Sequence, residues 1–208
     1  MAISTYAELQ TAVSNWLNRD DLTAVIPDFI ALTEADMQRR VRHWRMEKRA
    51  TASFDAQFSE VPNDWLDTIK LSVSTATGPQ EVALVSHADM ADLRRTTNDQ
   101  GGTPQFYSMS AGQFELFPTP SEATTGTLLY VAQIDALSNS NTSNWILDRF
   151  PDAYLYGALQ HSAPYLSDDQ RIAIWGALYQ STIDAINADS ENSKYSGTGL
   201  RMRILGLS

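Results

Sequence analysis

Three histidines, His43, His87 and His161, are the side chains best suited to proton transfer or metal ligation near neutral pH. His43 and Glu47 stand four residues apart, the spacing of two ligands on one helix face. A single such pair on a charged face usually serves as solvated surface, and no metal is expected. Ser86-His87 and His161-Ser162 are adjacent pairs, and neighbours on a helix do not face each other. Neither fits a nucleophile with its base. Gly101-Gly102 lacks the following Lys-Ser/Thr and the strand–helix setting of a phosphate loop. Asp20-Asp21 and Asp168-Asp169 read as helix-start acids, explained by the dipole and by capping. A glycosidase needs two carboxylates roughly 5–9 Å apart in a cleft, and 25 acidic residues supply pairs by chance alone. The absence of cysteine excludes a thiol nucleophile, Cys-ligated zinc and a disulfide framework. Neither catalysis nor a cofactor is expected.

The elements that must position these residues follow from periodicity and caps. Thr5 and Glu8 form a capping box, and Leu9, Ala12, Val13, Trp16 and Leu17 make one apolar stripe, so a first helix starts there. A second helix begins near Pro27 and buries Phe29, Ile30, Thr33, Met37, Val41 and Trp44. Its length carries it to residue 49. Then the texture turns to strands: 49–58 alternates loosely, 61–66 reads as a turn or short helical bend, and 69–75 and 81–85 are strands separated by Gly78-Pro79. Ser86 caps a short helix with Asp89 three residues on. Residues 105–109 and 113–117 flank a hairpin turn, and 127–134 is the last strand. A Ser/Asn-rich connection over 135–145 leads to helices 151–166 and 168–191, the latter buried through Ile172, Trp175, Tyr179, Ile183 and Ile186.

The expected class is α+β: a helical body from N- and C-terminal helix pairs with a β-rich middle insertion. The expected division is 1–49 and 136–194 for the body, 50–135 for the insertion and 195–208 for an extended tail. No basic n-region with an apolar stretch follows Met1, and no apolar run reaches the ~20 residues of a membrane span, so a soluble protein made in a cytoplasm is expected.

Charge is segregated along the chain. Lys and Arg number 15 against 25 Asp and Glu, a formal charge of −10, which argues against gripping nucleic acid over the whole surface. Yet Arg39, Arg40, Arg42, Arg45, Lys48 and Arg49 cluster opposite the apolar stripe of the second helix. From Asp135 to Glu191 eight acids face only Arg149 and Arg171. A basic stripe on an acidic protein suits the acidic half of a neighbouring copy, a head-to-tail contact able to close a ring. Arg39, Arg40, Arg42 and Arg45 are the candidate inter-subunit residues.

Three stretches in order resemble the head–tail adaptor proteins of tailed bacteriophages. They are Tyr6-Ala7-Glu8-Leu9-Gln10-Thr11-Ala12-Val13 with Asn15-Trp16-Leu17-Asn18-Arg19, running on through Ile26-Pro27-Asp28-Phe29-Ile30 to the arginine run from Met37 to Arg42; Gly102-Thr103-Pro104-Gln105-Phe106-Tyr107 with Phe114-Glu115-Leu116-Phe117-Pro118-Thr119-Pro120; and Pro151-Asp152-Ala153-Tyr154-Leu155-Tyr156-Gly157-Ala158-Leu159 with Ala163-Pro164-Tyr165-Leu166 and Asp168-Asp169-Gln170-Arg171. The resemblance implies a structural virion protein at the head–tail junction. It implies a twelve-fold ring that binds the portal protein, closes the filled head and offers a platform to a tail nozzle, hub or tube component. DNA would pass transiently through its lumen, which an acidic wall would let slide. It also implies a C-terminal portal-docking segment, with Tyr195, Leu200, Arg201, Met202, Arg203, Ile204 and Leu207 in contact roles. The competing readings are a tail-completion or stopper ring and a carboxylate-based cell-wall hydrolase.

Overall fold

At the N-terminus the capping box forms as its residue types require. The Thr5 hydroxyl accepts from the Glu8 N–H, the Glu8 carboxylate accepts from the Thr5 N–H, and helix α1 runs Tyr6–Leu17. Asn18 ends it in the left-handed conformation that Asn tolerates. The structure, a computed structural model, describes residues 3–97, 99–166 and 171–195. Among the described residues are six α-helices and seven strands, a mixed α+β chain. They fall into two units, residues 1–45 with 134–208 and residues 46–133.

The first unit is helical. Helix α2 spans Ile26–Arg40 with Pro27 in its first turn, and Phe29, Ile30, Thr33 and Met37 are buried. Val41 is buried too, but in extended conformation, so α2 stops at Arg40 rather than reaching residue 49. Trp44 sits exposed in a 3-10 turn, Trp44–Met46. Trp16, expected in the core, is also exposed and meets Tyr156 edge-on. Asp20 and Asp21 precede α2 by a turn, where Asp21 pairs with Arg19 at 2.6 Å instead of capping a helix.

The 135–145 connection, expected as a loop, ends in a helix cap. Asn144 accepts from the Ile146 and Leu147 N–H groups and starts a short helix, α4, Trp145–Arg149. Helix α5, Pro151–His161, then gives way to a 3-10 turn, Ala163–Tyr165, short of the expected end at 166. Helix α6 spans Arg171–Tyr195 and buries Trp175, Tyr179, Ile183 and Ile186 as the periodicity predicts, while Ile172, expected in the same stripe, is only half-buried in the first turn. Asp168 and Asp169 lie outside the described residues.

Helices α1, α2 and α6 all pack on α5, most of which is buried. Gly157 makes this possible. A Cβ there would stand 2.3 Å from the Thr33 Cγ2 of α2 and 3.0 Å from the Tyr179 ring of α6.

In the second unit, strands β1 (Glu47–Phe54), β2 (Phe58–Glu60), β3 (Trp65–Thr75), β4 (Gly78–Leu84), β5 (Phe106–Ser110), β6 (Gln113–Phe117) and β7 (Thr124–Ala132) form one sheet in the order β1-β7-β3-β4-β5-β6-β2. Trp65 and Leu66 open β3 rather than closing a turn, and the β3–β4 turn is Ala76-Thr77. Among the strands of the described residues only β4 and β5 pair in parallel, and parallel neighbours need a crossover. Helix α3, His87–Thr97, supplies it, started by the expected reciprocal bonds between Ser86 and Asp89. Arg94 fastens α3 to β6 through the Leu116 carbonyl at 2.7 Å and Glu115 at 2.8 Å. Ala111-Gly112, both at positive φ, make the two-residue turn of the β5–β6 hairpin. Phe54 of edge strand β1 and Phe114, beside edge strand β2, share one core, so the sheet rolls into a partly open barrel. A groove of about 240 Å³ at the opening is lined by Ala50, Thr51, Phe54, Val61, Pro62 and Phe114, among others.

The close approach at Gly157 gives a stability test. Gly157→Ala gains helix propensity of ~1 kcal/mol, but overpacking a filled core costs about 1–3 kcal/mol. Thr33 cannot swing away without losing its bond to the Phe29 carbonyl, 2.8 Å, so the crowding wins. The thermal midpoint is expected to fall by a few degrees; an unchanged or higher midpoint would show that the three helices can spread.

Candidate functional site

The four arginines singled out from the sequence do not share a helix face. Arg39 and Arg40 lie in the last turn of α2, Arg42 follows it in the chain, and Arg45 is in the 3-10 turn. Lys48 and Arg49 belong to β1. The three- and four-residue apolar spacing continues through Val41 and Trp44, but the backbone leaves the helix at Val41, and the chain beyond is held by Asn187 and Ser190 of α6.

Each arginine has its own surroundings. Arg39 is outward, its side chain 70% exposed beside Asp36 at 3.3 Å. Arg40 is half-buried: it binds Asp36 at 2.9 Å and the Gln180 side chain of α6, and lies over the Tyr179 ring. Arg42 turns back to donate to the carbonyls of Gln38 (3.1 Å) and Val41 (2.7 Å), where the helix leaves acceptors unsatisfied. Arg45 is exposed over the Trp44 indole at 4.7 Å. Arg39 and Arg45 thus face outward, while Arg40 and Arg42 hold the fold.

Between them His43 pins the chain to α6. Its Nδ1 accepts from the Arg45 N–H at 3.2 Å, so Nε2 carries the proton and donates to Asp189 at 3.3 Å. The ring stacks on Trp145 at 4.7 Å. Asn187 accepts from the Arg42 N–H and donates to the Arg40 carbonyl, and Ser190 accepts from the Trp44 N–H. With both nitrogens engaged, His43 is a clamp, and Glu47 lies on a strand rather than one helical turn away. Burial pushes the His43 imidazole below its ordinary range, against the pull of Asp189.

Carboxylates are likewise tied into structure. Burial raises Glu34, against the bonds it accepts from the Leu137 N–H (2.7 Å) and the Tyr154 hydroxyl (3.0 Å). Tyr154 in turn accepts from Asn144, the cap of α4. Gln38 accepts from the Ile134 N–H. The second half of α2 therefore satisfies the backbone that leaves β7. Burial also acts to raise Asp36, but its bonds with Arg40, Tyr179 and Arg39 outweigh it and hold the carboxyl low. The barrel groove holds a single acid, Glu60, where a glycosidase needs two. Among the described residues no group of three or more His, Cys, Asp or Glu could hold a metal, and no helix is long and apolar enough to cross a membrane.

Of the expected portal contacts, Leu200, Arg201, Met202, Arg203, Ile204 and Leu207 lie outside the described residues, and Tyr195 is the last residue of α6. The clamp residues Asn187, Asp189 and Ser190 carried no sequence signal, because their partners are about 145 residues away in the chain. Asn144 did carry one, a capping residue directly before Trp-Ile-Leu.

The family model for the SU10 adaptor protein matches residues 4–203, and the chain belongs to that family of phage adaptors. The family is one of structural components rather than enzymes. No curated protein matches the chain.

Burial also lowers the His161 imidazole, whose Nε2 is buried without a hydrogen-bond partner; Asp36 opposes that shift and Arg39 adds to it. Below the unfolded value of about 6.5 the unfolded chain takes up a proton that the folded chain resists, so this group costs stability as pH falls. Replacing it isolates the effect from Glu34, which acts in the opposite sense. The stability of His161→Leu relative to wild type is expected to rise between pH 7 and pH 5 in urea titrations. A constant difference would mean that the imidazole titrates alike in both states.

Proposed function

We propose that this protein forms the ring that joins the portal to the tail, closes the filled head and lines the DNA channel. The observation that carries the reading is the family match over residues 4–203. In this reading α1 and α2 with α5 and α6 build the body of each subunit, twelve subunits close the ring, and the barrel faces the next tail component. The charge of −10 agrees with a passage that must not hold DNA, since an acidic wall repels phosphate. The segment 195–208 docks on the portal, with Tyr195, Leu200, Arg201, Met202, Arg203, Ile204 and Leu207 in contact.

Mixing the purified protein with the portal ring of its own phage, followed by electron microscopy, tests the reading. A collar with the portal's stoichiometry is expected. A folded protein that ignores the portal would instead favour a stopper further down the tail.

Two variants divide the contacts. Changing Arg39, Arg40, Arg42 and Arg45 together to Gln is expected to impair ring closure. Because Arg40 and Arg42 also brace α2, the same variant is expected to lose about 1–2 kcal/mol of stability, readable in urea. Normal rings from this variant would remove the arginines from the interface. Deleting residues 195–208 is expected to abolish portal attachment with little change in melting temperature. Undiminished portal binding by the truncated chain would place docking elsewhere.

A further inference from the structure

His43 joins side chain to backbone through a nitrogen that can take up a proton. Its side chain is wholly buried, stacked on the Trp145 indole at 4.7 Å and beside that of Trp44 at 5.6 Å. A neutral imidazole has one donor and one acceptor nitrogen, and both are in use. Nε2 donates to Asp189 of α6 at 3.3 Å, and Nδ1 accepts the backbone N–H of Arg45 at 3.2 Å. Protonation leaves the bond to Asp189 intact. It also makes Nδ1 a donor facing a donor, so the Arg45 N–H loses its acceptor.

The neighbouring bonds do not titrate. Arg42 gives its N–H to the Asn187 side chain at 2.9 Å, and Trp44 gives its own to Ser190 at 3.0 Å. Residues 42–44 therefore stay on α6 whatever the charge on the ring. Charge draws the same line. Asp189 is the carboxylate against His43; the cations acting on it are Arg45 of the turn and Arg149 of α4, which reaches Asp189 at 3.7 Å. Burial first, and then both guanidiniums, oppose a proton that Asp189 favours. A protonated ring sets three positive charges around one carboxylate. Arg45 is the one able to leave, because it is exposed over the Trp44 indole and no ion pair holds it among the described residues.

We propose that His43 is a proton-operated latch on the Trp44–Met46 turn: proton uptake at Nδ1 expels the Arg45 N–H and swings Arg45 away from Trp44 and Arg149. Arg45 is one of the arginines assigned to ring closure above, so on that reading ring closure weakens in acid. The latch itself does not depend on that assignment.

Two-dimensional NMR of the purified, isotope-labelled subunit follows the His43 ring and the Arg45 amide from pH 8 to pH 5. The tautomer with its proton on Nε2 is expected at pH 8, and the ring midpoint is expected below the ordinary value of about 6.5. The Arg45 amide shift is expected to move with that same midpoint. An amide that ignores the ring, or follows the carboxylates instead, overturns the latch; so does a ring that stays neutral until the chain unfolds. His43→Asn gives a second reading, because an Asn oxygen accepts from the N–H two residues on without titrating. Its Arg45 amide shift is expected to stay flat between pH 7 and pH 5, and a shift like that of wild type overturns the proposal. Should the variant not fold, the wild-type titration decides alone. Collar formation with the portal, at pH 7 and below the His43 midpoint, separates the two levels. Wild type is expected to lose collars in acid and His43→Asn to keep them. Collars that ignore pH while the Arg45 amide responds sink the arginine's part in the ring, whereas no collar at either pH sinks the ring reading.

Discussion

The helical unit depends on one constraint, that α5 must be approached from several sides at once. Helices α1, α2, α4 and α6 pack on it, and only a glycine at position 157 lets α2 and α6 come as near as they do. The side chains at that crossing then have no freedom left. Thr33 bonds back to its own helix, Tyr179 carries its hydroxyl to Asp36, and Asp36 gathers Arg39 and Arg40. A packing requirement thereby sets the electrostatics of the end of α2. Arg40 is drawn inward to Gln180 and Tyr179, which leaves Arg39 as the outward charge of that turn.

The same economy governs the exits from the helices. Where α2 ends, its free carbonyls are met by Arg42, and the extended chain beyond is held by Asn187, Asp189 and Ser190 of α6. Where the chain returns from β7, Gln38 and Glu34 receive its N–H groups. These polar side chains could pass for catalytic groups by type. Their partners are backbone atoms and neighbouring helices, so their chemistry is already spent on the fold. Burial, opposed by these bonds, accounts for the shifts at Glu34 and His43.

Local signals were legible in the sequence wherever one residue's partner lies within a turn. Thr5 with Glu8, Ser86 with Asp89, the hairpin around Ala111-Gly112 and the buried stripe of α6 from Trp175 to Ile186 all form as their spacing implies. Long-range choices were not. The apolar spacing of Met37, Val41 and Trp44 continues a helix on paper, but Val41 is buried equally well in an extended chain, and clamps from α6 decide between the two. Trp16 fits the stripe of α1 by position and yet stays on the surface. Strand β1 shows little apolar alternation because most of its residues are exposed, so its start at Glu47 could not be read. As for the candidate site, the arginines were found by clustering, but their division into outward and bracing pairs needed α6, which lies 130 residues or more along the chain.

The central claim is one of place: this protein sits where head meets tail. Gold-labelling an affinity tag on it in purified virions and imaging them by electron microscopy measures that place directly. The account predicts label confined to the head–tail junction in every filled particle. Label along the tail or at its tip, or virions that lack the protein altogether, would contradict it.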